Sequence, residues 1–140
     1  MQIAQGLLLP PADPVRIRNR WAGHRCIHTE HGAVAADAVE AGWQSARWSV
    51  QTLTGLPFVC IANVWKNDQL LHASDGRLEC GTMDLGAPAA QWLLEPVKGT
   101  AFVRIRSRPG SGLVVHCEHG PLELGPADPA WHSAHWALER

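Results

Sequence analysis

Val15-Arg-Ile-Arg-Asn19, Val59-Cys-Ile-Ala-Asn63 and Val103-Arg-Ile-Arg-Ser107 begin three stretches that run in register, each 44 residues after the last. Farther along, His28, His72 and His116 fall at the same offset, as do Gly32, Gly76 and Gly120, and then Ala46, Ala90 and Ala134. Trp48, Trp92 and Trp136 close the three stretches. Asn19 matches Asn63 and Trp21 matches Trp65, whereas the third copy carries Ser107 and Pro109 there. An ungapped repeat of this period means one supersecondary unit used three times.

Each unit reads as strands. Val15-Arg-Ile17-Arg and Val103-Arg-Ile105-Arg alternate apolar and basic side chains with the period of a half-buried strand. A second short strand is expected through Ile27-His28, Leu71-His72 and Val115-His116, then a hairpin turn at Gly32, Gly76 or Gly120, where glycine supplies a positive φ. A third strand follows at Val34, Leu78-Glu79-Cys80 or Leu122-Glu123-Leu124, and the last begins near each closing Trp. No segment has the pattern of an amphipathic helix. About twelve short strands in all need a closed sheet to remove their edges. A propeller blade has a similar length, but propellers use about four to eight blades. The other solution is one barrel of three four-stranded units around a pseudo-threefold axis.

The chain has 140 residues, a length suited to a single domain spanning 1–140, with repeats at about 15–58, 59–102 and 103–140 and a lead-in over 1–14. Its formal net charge of −1 argues against a nucleic-acid partner, which calls for a basic excess. Its apolar runs fall far short of the roughly 20 residues of a membrane span. Met1–Pro14 carries no basic n-region, so a secretory signal is not expected and a cytoplasmic setting is. The four cysteines form no Cys-x-x-Cys and read as reduced, mostly buried thiols.

Seven Trp, two Phe and no Tyr put almost the whole aromatic load on indoles. Trp48, Trp92 and Trp136 occur in every copy within apolar strands and are expected near the barrel axis. Trp21, Trp65, Trp43 and Trp131 fall in loops or at strand ends, and each pair is missing from one copy, as Pro109 or as Ala87. They serve either as caps on the barrel ends or as stacking platforms. With Ile27, Leu71 and Val115 pointing inward, alternation turns His28, His72 and His116 outward, where they bind a ligand or prop their own hairpins. Arg16, Arg18, Arg104 and Arg106 read as a solvated strand face. The His pairs three residues apart, such as His28 and His31, would face opposite sides of a strand, so no metal site is assigned. No nucleophile elbow, phosphate loop or His-Glu-x-x-His is present, and no enzyme activity or cofactor is expected.

The Val15-x-Ile17 opening and the Ser45-Ala-Arg-Trp48 closing resemble the β-trefoil superfamily, in particular its ricin-type lectin-like branch. The resemblance covers essentially the whole chain and implies an all-β β-trefoil of three 44-residue, four-stranded repeats. Ricin-type lectins bind sugar hydroxyls through an acidic residue that falls, by register, at His28, His72 and His116. Ile27-His28-x-x-x-Gly32 is also similar to a segment of mussel-type trefoil lectins in which His contacts galactose-type sugars. The resemblance thus implies a carbohydrate-binding module with up to three shallow sites, one per repeat. Copy one would contribute Asn19, Trp21, His28 and Trp43, copy two Asn63, Trp65 and His72, and copy three His116 and Trp131. In the alternative, a fascin-like or inhibitor-like trefoil, a protein partner is read by the segments where the copies differ: Gln51–Phe58, Asp84–Pro88 and Pro126–Ala130.

Overall fold

A computed structural model describes residues 13–109 and 112–140. Most of the expected lead-in, and Gly110 and Ser111 of the third copy's first turn, lie outside the described residues. The first copy forms β1 (Arg16–Asn19), β2 (Cys26–His28), β3 (Ala35–Asp37) and β4 (Trp48–Thr52). The second forms β5 (Val59–Asn63), β6 (Gln69–Ser74), β7 (Arg77–Thr82) and β8 (Trp92–Pro96). The third forms β9 (Val103–Ser107), β10 (Val114–His116), β11 (Glu123–Gly125) and β12 (Trp136–Glu139). A one-turn 3-10 segment precedes the last strand of each copy, at Gln44–Ala46, Pro88–Ala90 and His132–Ala134. Among the described residues no helix is long and apolar enough to cross a membrane.

Pairing decides between barrel and propeller. β1 pairs with β12, β12 with β9, β9 with β8, β8 with β5 and β5 with β4, all antiparallel. A bridge between Val15 and Trp48 returns β4 to β1 and closes the ring. The hairpins β2–β3, β6–β7 and β10–β11 hang on β1, β5 and β9 through single equivalent pairs, Arg18↔Cys26, Ala62↔Leu70 and Arg106↔Val114. A six-stranded barrel with three attached hairpins accounts for all twelve strands. The arginine face is cross-strand paired rather than merely solvated: Arg18 Nε donates to Glu139 at 2.7 Å, and Arg106 makes two bonds to Glu95 at 2.8 and 2.9 Å.

Trp48, Trp92 and Trp136 are fully buried and share one apolar cluster with Ile17, Ile61, Ile105, Ile27, Leu71 and Val115. Each indole Nε1–H donates to a hairpin carbonyl at 2.9 Å: Trp48 to Ile27, Trp92 to Leu71 and Trp136 to Val115. The same side chain therefore fills the barrel and fastens its cap. Trp92→Ala should cost about 3–5 kcal/mol, from lost burial and the cavity left behind. Trp92→Phe keeps most of the packing but strands the Leu71 carbonyl, and should still cost about 2–4 kcal/mol. Urea unfolding midpoints of the two variants against the parent protein check both values.

Candidate functional site

The predicted site residues divide sharply by burial. Asn19 and Asn63 lie under the surface. Asn19 Nδ2 donates to the Ser133 carbonyl and Asn63 Nδ2 to the Ser45 carbonyl, each at 3.0 Å. Asn19 Oδ1 accepts the backbone N–H groups of Trp21 and Ala22, and Asn63 Oδ1 accepts that of Lys66. Each Asn thus pins the loop carrying an exposed indole, Trp21 or Trp65, onto the 3-10 segment of the neighbouring copy. Their polar atoms are committed to the backbone, not offered to a ligand. At the third junction Ser107 replaces Asn, and its buried Oγ has no partner among the described residues.

His28 and His116 correct the expectation of outward, accessible imidazoles. Both are about 1 % exposed, and only His72 is half-buried. The expected alternation fails because each ring folds back over its own hairpin loop. His28 Nδ1 accepts the Glu30 N–H at 3.1 Å, and His116 Nδ1 accepts the Glu118 N–H at 3.2 Å. Acceptance at Nδ1 places the ring proton on Nε2, and His28 Nε2 accordingly donates to Asp37 at 2.8 Å. Trp43 and His31 cover the His28 ring at centroid separations of 5.4 and 5.8 Å, and Trp131 and His119 cover His116 at 5.7 Å each. His31 and His119 reach these positions because they sit in turns, so the strand argument that separated the His pairs does not apply to them. Copy two has no such loop: Ser74 pairs with Arg77 across a two-residue turn in which Asp75 and Gly76 both have positive φ, 50° and 78°.

The buried His rings also set how closely the third strand can approach. A methyl group on Gly125 would meet His116 Nε2 at 3.1 Å, whereas one on Gly81 would meet His72 Nε2 at 3.4 Å. Gly125→Ala should therefore destabilise by about 1–3 kcal/mol. Gly81→Ala, against a half-exposed ring that can yield, should cost less than about 1 kcal/mol. Thermal midpoints of the two variants check the difference.

The four indoles outside the core, exposed Trp21 and Trp65 and half-buried Trp43 and Trp131, meet across the junctions between copies, not within one copy. Trp43 of copy one and Trp65 of copy two wall a cleft of about 240 Å³ with Glu30, Gly42, Gln44 and Ser45. Trp131 of copy three and Trp21 of copy one wall its symmetry counterpart, about 310 Å³, with Glu118, Ala130, His132 and Ser133. In both, the serine hydroxyl donates to the glutamate Oε1 at 2.6 Å. Among the described residues Trp21 and Trp65 are the most exposed large apolar side chains, at 57 % and 49 %. The expected grouping of Trp21 with Trp43 is thus replaced by Trp21 with Trp131 and Trp43 with Trp65. At the remaining junction Ala87, Ser74, Ala89 and Pro109 stand where the others have Trp, Glu, Ser and Trp.

Solved structures share this architecture. The chain superposes with TM-score 0.79 and 23 % identity on a GlcNAcα1-4Gal-releasing endo-β-galactosidase from Clostridium perfringens, covering 90 % of this chain but only 32 % of that one. It superposes on SeviL bound to asialo-GM1 saccharide with TM-score 0.75 and 15 % identity, covering 91 % and 96 % of the two chains. On the BEL β-trefoil the TM-score is 0.76 and the identity 15 %, over 95 % and 99 %. The chain is a β-trefoil. No protein-family model and no curated protein sequence matches it.

Within the trefoil, Glu30, Glu118, Ser45 and Ser133 were not singled out by sequence reasoning. A signal was present: in copy two the positions of Trp43, Glu30 and Ser45 all change together, to Ala87, Ser74 and Ala89. A larger concavity, about 520 Å³, lies elsewhere, lined by residues 93–98, Arg104 and Pro129. His116, His119 and Glu123 bring three candidate metal ligands within 4.8 Å. His116 carries its proton on Nε2, and His119 Nδ1 already bonds Glu123 at 3.1 Å, so the trio does not present three free donors. All four cysteines are free, and burial pushes the thiols of Cys60 and Cys80 up to about 11.

Burial holds the imidazoles of His116 and His135 below their ordinary value. For His116 the Glu123 carboxylate opposes this shift, and for His135 the bond to the Pro129 carbonyl does. The unfolded chain, with His near 6.5, takes up protons first on acidification. Stability contributed by these groups is therefore complete above about pH 6.5 and is lost as the pH falls through the lower folded values. His135 Nε2 donates to the Pro129 carbonyl while Nδ1 meets Arg20, and Gln91 in copy two makes the same two contacts, to Leu85 and Arg108. His135→Gln should preserve both bonds and flatten the fall in urea midpoint between pH 7 and pH 5.

Proposed function

We propose that the trefoil is a carbohydrate-binding module with two sites, the Trp43/Trp65 and Trp131/Trp21 clefts. The observation that carries this reading is the recurrence, in two of three junctions, of one constellation: two indoles, a carboxylate and the serine that orients it. A sugar ring needs an apolar surface for its C–H face and hydrogen-bonding groups for its rim. The indoles supply the first. Glu30 with Gln44, and Glu118 with His132, supply the second. His28, His116, Asn19 and Asn63 are positioning residues in this reading: the His rings fix the loops bearing the glutamates, and the Asn side chains fix the loops bearing Trp21 and Trp65. Among the described residues each cleft is lined by one carboxylate, whereas glycoside hydrolysis ordinarily uses two, which favours binding without chemistry on the sugar.

Sharing a fold with SeviL, described as bound to a saccharide, agrees with this reading. Two weak sites on one rigid body gain through multivalency on a surface rich in glycans. The second reading, a protein-interaction module, is favoured by the 520 Å³ groove, which includes Pro129 from a segment where the copies differ. A glycan array followed by calorimetry separates the two. Two sites per chain are expected, with Trp21→Ala and Trp65→Ala each removing one while leaving the thermal midpoint nearly unchanged, because both indoles are exposed. Three sites per chain, or binding indifferent to both substitutions, would sink the cleft assignment. A blank array together with one-to-one capture of a protein would favour the groove.

A further inference from the structure

Resting on the carbohydrate reading, we infer that Glu30 and Glu118 are the specificity-determining residues of the two clefts and select sugars bearing a protonated amine. The lining of the first cleft contains one acidic side chain and no basic one; that of the second contains one acidic side chain and His132. Each carboxylate is held at Oε1 by a serine hydroxyl at 2.6 Å, and among the described residues no other side chain is recorded bonding to it. A fixed carboxylate in a cleft that two indoles also line is an environment for an ammonium group. The cation is attracted by the ring faces, and its N–H groups donate charge-assisted bonds to the carboxylate oxygens. Anionic sugars meet a like charge in the lining of each cleft. Neutral hydroxyls also donate to the carboxylate, but they bring no opposite charge to it.

The chain itself shows that one of these indoles accepts a cation. Lys66 Nζ lies 4.8 Å from the Trp65 ring centroid, a contact the Trp21 wall does not share because Ala22 follows it. The Trp131/Trp21 cleft, free of this internal competitor, should be the tighter of the two. At the junction without these indoles Ser74 stands in place of the glutamate, so the charge and the indoles are present or absent together.

The test is a titration of the full chain with a free hexosamine, its N-acetylated form and the parent hexose near neutral pH, followed by NMR of the seven indole N–H signals. The hexosamine is expected to bind at least about tenfold more tightly than the other two and to lose that advantage at high salt. The cleft indoles should shift and the three core indoles should not. In the Glu30→Gln/Glu118→Gln variant, whose amide oxygens still accept from Ser45 and Ser133, the hexosamine should lose its advantage over the other two sugars. Equal affinity of the parent protein for all three sugars overturns the inference and leaves the carbohydrate reading standing, as does a preference that survives both substitutions. Failure to bind any of the three overturns the carbohydrate reading itself.

Discussion

The bond from each core indole to a hairpin carbonyl is the constraint on which the trefoil depends. A barrel of six short strands has an open end, and the hairpins that close it are attached to the staves by single backbone pairs. Such hairpins would fray if nothing beneath held them. The three indole donors at 2.9 Å supply that hold in the same geometry in every copy, each spanning 21 residues of sequence. Because the acceptors are backbone carbonyls, the hairpin side chains are free to vary. The tight Asp75-Gly76 turn and the wider loops of copies one and three rest on the same foundation.

That freedom explains where the symmetry is broken. Copy two has lost the indole, the glutamate and the serine together, yet its Trp92, Leu71 and Ile61 remain as buried as their counterparts. The fold tolerates the loss because the cleft residues take no part in the central cluster. Conversely, the residues that arrange the clefts are held to strict geometry. The Ser45 carbonyl accepts both from Thr29 of its own hairpin loop and from Asn63 of the next copy, and the Ser133 carbonyl accepts from Cys117 and Asn19 in the same way. One carbonyl therefore sets both walls of a cleft.

Much of this was legible in the repeat. Burial follows the two-residue alternation through Val15 and Ile17 in the first strand, and the spacing of Ile27 and Trp48 repeats in all three copies, so strand number, core and threefold repeat were readable from spacing. The site was harder to read. Alternation put His28 and His116 outward, but a side chain at the last strand position before a loop is governed by the loop's unpaired N–H groups. Grouping residues by copy also misled, since neighbours along the chain within a repeat are not neighbours across a barrel whose first strand lies beside the last strand of the preceding unit. Trp21 follows β1, and β1 pairs with β12, so its partner had to come from copy three.

The same topology fixes what a single repeat can do. Each cleft takes one indole from the loop after a first stave and another from the turn before a last stave of the preceding copy. A cleft therefore exists only when two copies are docked, and the one between copies three and one exists only when the ring is closed. Closure depends on the three core indoles, while the clefts are walled by the other four, and the two sets share no side chain. Exchanging cleft residues in pairs across a junction thus alters the cleft without touching the interaction that closes the barrel, which is why the trefoil keeps its shape with Ala87, Ser74, Ala89 and Pro109 at the third junction.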